Sequence, residues 1–441
     1  MLRLFISKEI FQNITNRAFW ILGGVILAST ILCTIIQIES FNNNKKAFDE
    51  YWIQHQKFYE LRPNDLESLP FNMAVLPPSH LGMLFNGLKS FVSNRAIDQN
   101  SIEYLFKNLD LGILTGILFS LLAIILSFQT ISGEREDGML KLIDTYPVKR
   151  ATIILGKWLG IVLIIGILYS FCYIIMTLLI LVFANSQITS VDRASLCLIY
   201  LIGFLYISGI VLLGIYISIK VRQSYLSLLI ALLVWAFTVL VLPSIPDYSG
   251  SLLIKSASPL RVLNDENECN NNKFKAIQKV QEKYRNEGVP EDKIEIEAKR
   301  DIELITKKFD EQRRQLNANF ENGLIKRMAV STGISLFSPY VCYTLSVNEI
   351  AATGISANIS LIKQRENHSM IIASHLKKIS DRLKIDPQYK PNFSDIPKFQ
   401  FIYPSLKLRL IAVSVPLLLL LIFNILLFVF SFKSFLRYDI R

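Results

Sequence analysis

Apolar residues in this chain are gathered into blocks, with polar stretches between them. Nearly unbroken apolar runs cover 19–38, 109–130, 158–184, 195–219, 225–243 and 408–432. A helix rising about 1.5 Å per residue needs about 20 residues to cross ~30 Å of hydrocarbon. Each block meets that length, and none shows the two-residue alternation of a barrel strand. The pattern predicts an all-α polytopic membrane protein with six transmembrane helices. The first block is expected to be retained, because scattered charges precede it and no small-x-small cleavage pattern follows.

The polar stretches set the orientation. Residues 1–18 carry Arg3, Lys8 and Arg17, and the 131–157 loop carries Arg135, Lys141, Lys149, Arg150 and Lys157. Lys220 and Arg222 occupy the short turn after the fourth block, and Lys433, Arg437 and Arg441 the 433–441 tail. Six spans place all four stretches on one face, which the positive-inside rule makes cytoplasmic. Both termini are therefore expected in the cytoplasm. Two extracytoplasmic inserts remain, 39–107 and 244–406.

Periodicity returns inside the larger insert. Phe274, Ile277, Val280 and Tyr284 share one helical face. Gly288 and Pro290 interrupt it, and Glu291 and Asp292 suit a new helix N-terminus. Ile294, Ala298, Ile302, Ile305, Phe309, Leu316, Phe320 and Leu324 then continue a narrow apolar stripe. These stripes predict a charged helical hairpin over 273–326, on the order of 50 Å long. A re-entrant or interfacial helix is expected over 335–353, starting near Ser338 and Pro339. An amphipathic helix follows over 359–383, before a Pro-punctuated return to the membrane. The 39–107 insert yields no fold assignment.

Composition adds little to this frame. Half of the 441 residues are hydrophobic, and the net charge of +11 belongs mostly to membrane-flanking positions and a mixed-sign insert. It is no signature of nucleic-acid binding. Of the five cysteines, Cys33, Cys172 and Cys197 fall in apolar blocks, leaving Cys269 and Cys342 for at most one disulfide; unpaired thiols are the expectation. Gly156-Lys157 is the sole Gly-Lys pair. It lacks the upstream glycine and following hydroxyl of a nucleotide-binding loop. His368 and His375 are seven apart with no third ligand nearby, which predicts surface histidines. Glu349, in an apolar setting, is expected at an interface and solvated. Nothing in the chain reads as catalytic.

The most informative stretch is "ISGEREDGMLKLIDTYPVKRATIILGKW", 131–158. Ser132 suits a helix cap, and Glu134, Glu136 and Asp137 suit a first turn. Leu140, Ile143 and Tyr146 form a short apolar edge, and Pro147 stops the helix. Lys149, Arg150 and Lys157, like Arg17, are expected as anchors at the membrane surface. A short helix fixed between two spans is suited to contacting something.

This stretch closely resembles the first cytoplasmic loop of ABC transporter permeases of the type V exporter family. There an S-G-E-[RK]-E-x-G-T-L stretch leads to Y-P-[VI]-x-R and then to a G-K opening the third helix; here Met139 replaces the usual Thr. "KEIFQNITNRAFWIL" resembles that family's amphipathic N-terminal helix. "FLRYDIR" and "SP…EIAATG" resemble the branch with a large insert between helices five and six, including gliding-motility and nitrous-oxide-reductase accessory permeases. The resemblance implies that 134–146 is a coupling helix seated in a separate ATPase subunit. Glu134, Arg135, Glu136, Gly138, Lys141, Tyr146 and Pro147 would then form the contact. It implies two permeases, identical or paralogous, with two ATPases in a bacterial cytoplasmic membrane. ATP and Mg would be bound by the ATPase and no cofactor by this chain.

Three roles follow. The first is a permease exporting or extracting a substrate, with uncharged spans favouring lipid-like, amphipathic or peptide cargo. The second is mechanotransmission to a periplasmic partner through the hairpin. The third, a scaffold without ATP coupling, leaves the loop helix unexplained.

Overall fold

The computed structural model describes residues 2–61, 79–85, 110–145, 148–183, 188–244, 259–290, 297–386 and 399–437. They form two compact units, one of 1–243 with 336–441 and one of 244–335. Among the described residues there is no strand, and six helices are long and apolar enough to cross a membrane.

In the first unit, α1 (Leu2–Thr15) ends at Asn16, whose Oδ1 accepts from Ala18 N at 3.0 Å and opens the next helix. That helix, α2 (Arg17–Leu61), holds the first span and does not stop at Ile38; at 45 residues it is about 68 Å long. The second span, α3 (Leu111–Glu136), is capped by Asp110, which accepts from Ile113 N at 2.8 Å. A π-turn over Thr115–Phe119 widens α3, and Gly116 O receives the Tyr206 hydroxyl at 3.0 Å. A short α4 (Met139–Asp144) precedes the third span, α5 (Arg150–Phe183). The fourth, α6 (Ser190–Lys220), opens on a capping box between Thr189 and Asp192. The fifth is α7 (Ser224–Val241).

The second unit is the hairpin. Its arms are α8 (Pro259–Asn286) and α9 (Lys299–Ser335), about 42 and 55 Å long, and they extend beyond 273–326 at both ends. They run antiparallel: Asn317 Nδ2 donates to Glu266 at 2.8 Å, Lys273 meets Asp310 at 3.2 Å, and the Tyr284 hydroxyl donates to Asp301 at 3.3 Å. Gly288, at φ +85°, ends α8 in the left-handed conformation. Phe274 departs from expectation and points away, 62% exposed, because the polar Glu266–Asn317 and Lys273–Asp310 pairs rotate the seam toward themselves. Ile294 and Glu291 lie outside the described residues.

The chain re-enters the first unit through α10 (Pro339–Ile350). Ser338 caps it, accepting from Val341 N at 3.4 Å and donating to Thr238 O at 2.8 Å, with Pro339 in the first turn. Its 12 residues reach about 18 Å, too short to cross. Tyr343 stacks on Tyr206, near the middle of α6, with ring centroids 4.8 Å apart. Tyr340 lies against Gly116, where any Cβ would collide with its ring. The helix therefore dips into the bundle between α6 and the final span, α12 (Leu406–Leu436).

Two expectations are corrected here. Glu349 is 7% exposed, not solvated, because it caps α11 (Ile355–Ile385), accepting from Ser356 N at 3.0 Å and from the Ser356 hydroxyl. His368 is not at the surface: it packs edge-on to Phe399, with ring centroids 5.2 Å apart, where the returning chain crosses α11.

Candidate coupling site at residues 131–150

The motif-bearing loop divides into an inner and an outer surface. Ser132 does not cap a separate helix. Its hydroxyl donates to Phe128 O at 2.9 Å, and Ser218 Oγ accepts from the amides of both Ile131 and Ser132 at 3.0 Å. Ser132–Glu136 thus continues from the second span and is tied to the end of α6. Gly138, at φ +72°, reverses the chain into α4, so 134–146 is broken into two short pieces rather than one helix.

Glu134, Arg135 and Glu136 each have a partner within the chain. Arg135 donates from Nη1 to Val221 O at 2.9 Å and from Nη2 to Ile219 O at 3.2 Å, satisfying carbonyls at the C-terminal end of α6. Glu136 accepts from Ser224 N at 2.9 Å, which caps α7. Glu134 is buried, and one of its oxygens takes both Lys8 at 2.5 Å and Lys157 at 2.9 Å. Lys157 also meets Glu9 at 2.7 Å and Thr130 O at 3.0 Å. The cluster pairs two ammonium groups with two carboxylates, so its charge as a whole sums to zero. An unpaired charge there would carry a desolvation penalty of several kcal/mol.

Lys157 is therefore no surface anchor; it is 1% exposed, because α5 begins at Arg150 and carries it a full two turns into the bundle. Gly156 and Gly160 complete the arrangement. A Cβ at Gly156 would strike Phe5, and one at Gly160 would strike Glu9, so these glycines let α1 lie directly on α5. The Gly-Lys pair that fails as a nucleotide loop is a packing and charge site. Arg150 donates to Phe435 O at 3.2 Å and Leu436 O at 3.1 Å, tying in the end of α12, while Arg17 and Lys149 are exposed. Tyr146 and Pro147 lie outside the described residues.

The outer surface is small. Asp137, Gly138, Met139, Lys141 and Leu142 are exposed, with Met139 at 45% and Leu142 at 60%. Leu140 is buried and Ile143 half-buried, so these two positions of the apolar edge face inward. Met139 and Leu142, three apart on α4, were not among the contact residues that the resemblance implied. Their signal was an apolar pair next to the glycine at the loop's bend.

Six spans, with a loop tied to the ends of α6 and α12 and the start of α7, describe a multi-pass membrane protein. The family model of the ABC-2 family transporter protein matches residues 5–440, and the chain belongs to that family. A stretch of 63 residues is 40% identical to the "Probable ABC transporter permease protein NosY" of Stutzerimonas stutzeri. That stretch is 14% of this chain and spans about a quarter (23%) of the relative's length. The chain is an ABC transporter membrane subunit, a permease component that is not itself catalytic.

Proposed function

We propose that this chain is the permease of a bacterial cytoplasmic-membrane ABC exporter or extractor, driven by a separate ATPase that binds ATP and Mg. The observation that carries the reading is the exposed tip formed by Asp137, Met139, Lys141 and Leu142, on a loop whose Glu134, Arg135 and Glu136 are locked to α1, α5, α6 and α7. A contact at Met139, Lys141 and Leu142 would pass force directly into those helices, because no slack separates the tip from its fastenings. A second permease copy or paralogue would complete the transporter, and ATPase closure would rock the two bundles as rigid bodies.

The test is co-purification with its partner ATPase. Met139→Glu together with Leu142→Glu should leave the permease folded while abolishing assembly and permease-dependent ATPase activity. Unchanged assembly and activity would refute the coupling role of the tip.

The hairpin supports a second reading, in which the same stroke works a periplasmic partner and no cargo crosses. Residues 244–335 form a compact unit of their own, with arms of 28 and 37 residues. Deleting 259–335 should preserve basal ATPase activity in both cases. Transport that survives the deletion excludes mechanotransmission. A cysteine placed at Val289 should react with an impermeant thiol reagent from outside; protection there contradicts an extracytoplasmic hairpin.

A further inference from the structure

Two of the spans carry a π-turn, Thr115–Phe119 in α3 and Phe237–Val241 in α7. A π-turn holds one residue more than the α geometry accommodates, and such turns gather at functional positions. Rewinding one as an α-turn swings the residues on one side of it by about 100°.

α3 and α7 are joined by three antiparallel rungs. Nearest the tip of the 131–150 loop, Glu136 accepts from Ser224 N at 2.9 Å. Further along, the Ser227 hydroxyl donates to Phe128 O at 2.8 Å, and Trp235 Nε1 donates to Ser120 Oγ at 2.8 Å. Carried one turn beyond Trp235 and Ser120, that register brings the two π-turns side by side. The loop ends of the two helices and their π-turns belong to one ladder, about 21 Å from Ser224 to Thr238.

α10 begins against both π-turns. The hydroxyl of its cap, Ser338, donates to Thr238 O at 2.8 Å. Tyr340 lies against Gly116, whose carbonyl holds the Tyr206 hydroxyl at 3.0 Å, and Tyr343 stacks on Tyr206. Cys342, between the two tyrosines in the chain, is 1% exposed. A swing of about 100° at either turn would carry Gly116 or Thr238 out of this seat. The first turn of α10 is therefore held only while both helices keep their π-turns.

We propose that the paired π-turns are a conformational joint linking the cytoplasmic loop to α10: loosening the loop end of α3 or α7 lets a π-turn rewind and frees the first turn of α10. Since α9 ends at Ser335, the joint acts on the connection between the large insert and the bundle. Static bulges would hold α10 whatever happened at the loop. The joint stands on the ladder; its use as the route of an ATPase stroke rests on the reading of the tip given above.

The native Cys342 thiol reports the release. The full chain in nanodiscs is alkylated with N-ethylmaleimide, and the rate at Cys342 is read by peptide mass spectrometry, separately from the other cysteines. Glu136→Ala, which removes the rung at the loop, should raise that rate about threefold. Deleting Ile117, which returns α3 to unbroken α geometry, should raise it about tenfold and abolish the response to Glu136→Ala. Gly116→Ala, which drives a methyl into Tyr340 at unchanged chain length, should do the same, and it decides if the deletion does not elute as a single species. A rate unchanged by Glu136→Ala, or a Glu136→Ala effect that persists in full beside Gly116→Ala, overturns the joint. In the complex with the partner ATPase, ATP with hydrolysis blocked should raise the rate in the parent chain. If the joint passes the first tests and nucleotide leaves Cys342 unchanged, the ATPase reading of the tip falls and the joint stands.

Discussion

Two charge-rich regions of this protein solve the same problem in opposite ways. At the loop, Lys8, Glu9, Glu134 and Lys157 are drawn into one neutral, largely buried cluster joining three parts of the chain. Along the hairpin, charges stay wet: the Lys273–Asp310 pair is 26% and 40% exposed. Buried ions lock geometry at a high desolvation cost, while exposed ones keep a long helix pair soluble and contribute little to its stability. The comparison predicts where substitution matters.

The largest effect belongs to Lys157→Met, which strands Glu9 in the bundle and leaves Glu134 with Lys8 alone. It should cost about 3–5 kcal/mol and release α1, read as protease sensitivity near residue 16 and a lower melting temperature. The penalty should shrink by about 1 kcal/mol or more when Glu9→Gln is already present, since the two share one contact. Gly160→Leu should come next, at about 1–3 kcal/mol, by pushing Glu9 and Ile6 off α5.

His368 sharpens the contrast, as a buried group kept neutral. Burial lowers its pKa below the ordinary 6.5, so the unfolded chain binds more protons in the interval beneath that value. Its contribution should be complete above pH 6.5 and fade as the pH falls through the lowered folded value. Hydrogen exchange at Ile402, whose amide donates to Gln364 at 2.8 Å, should report the loosening after correction for intrinsic rates. His368→Leu should remove it. The smallest effect is expected for Lys273→Ala, about 0.2–1 kcal/mol and weaker in high salt. A Lys273→Ala penalty equal to that of Lys157→Met would erase the distinction.

Features governed by neighbouring residues were legible in the sequence. Apolar blocks marked the six spans, paired stripes marked the hairpin, and Ser338-Pro339 marked the start of α10 because a cap and a first-turn proline act within one turn. Features governed by distant partners were not. Lys157 and Glu9 are 148 residues apart, and a lysine beside the apolar block at 158–184 reads as a surface anchor until its carboxylates are in place. Glu349 and His368 misled for the same reason, since their burial depends on chain segments that return later. Periodicity over α4 identified an apolar edge without revealing which side the rest of the bundle would cover.

The seat of α1 also sets an order of assembly. This helix is synthesised well before its partners: Glu134 follows Lys8 by 126 residues and Lys157 follows Glu9 by 148. Leu4 and Phe11, 67% and 71% exposed on its other side, give it an apolar surface suited to resting on the lipid boundary meanwhile. Its docking on α5 must wait until the second and third spans have entered the membrane. A chain stalled before that point would present an undocked α1, giving membrane quality-control proteases a means of telling incomplete copies from finished ones.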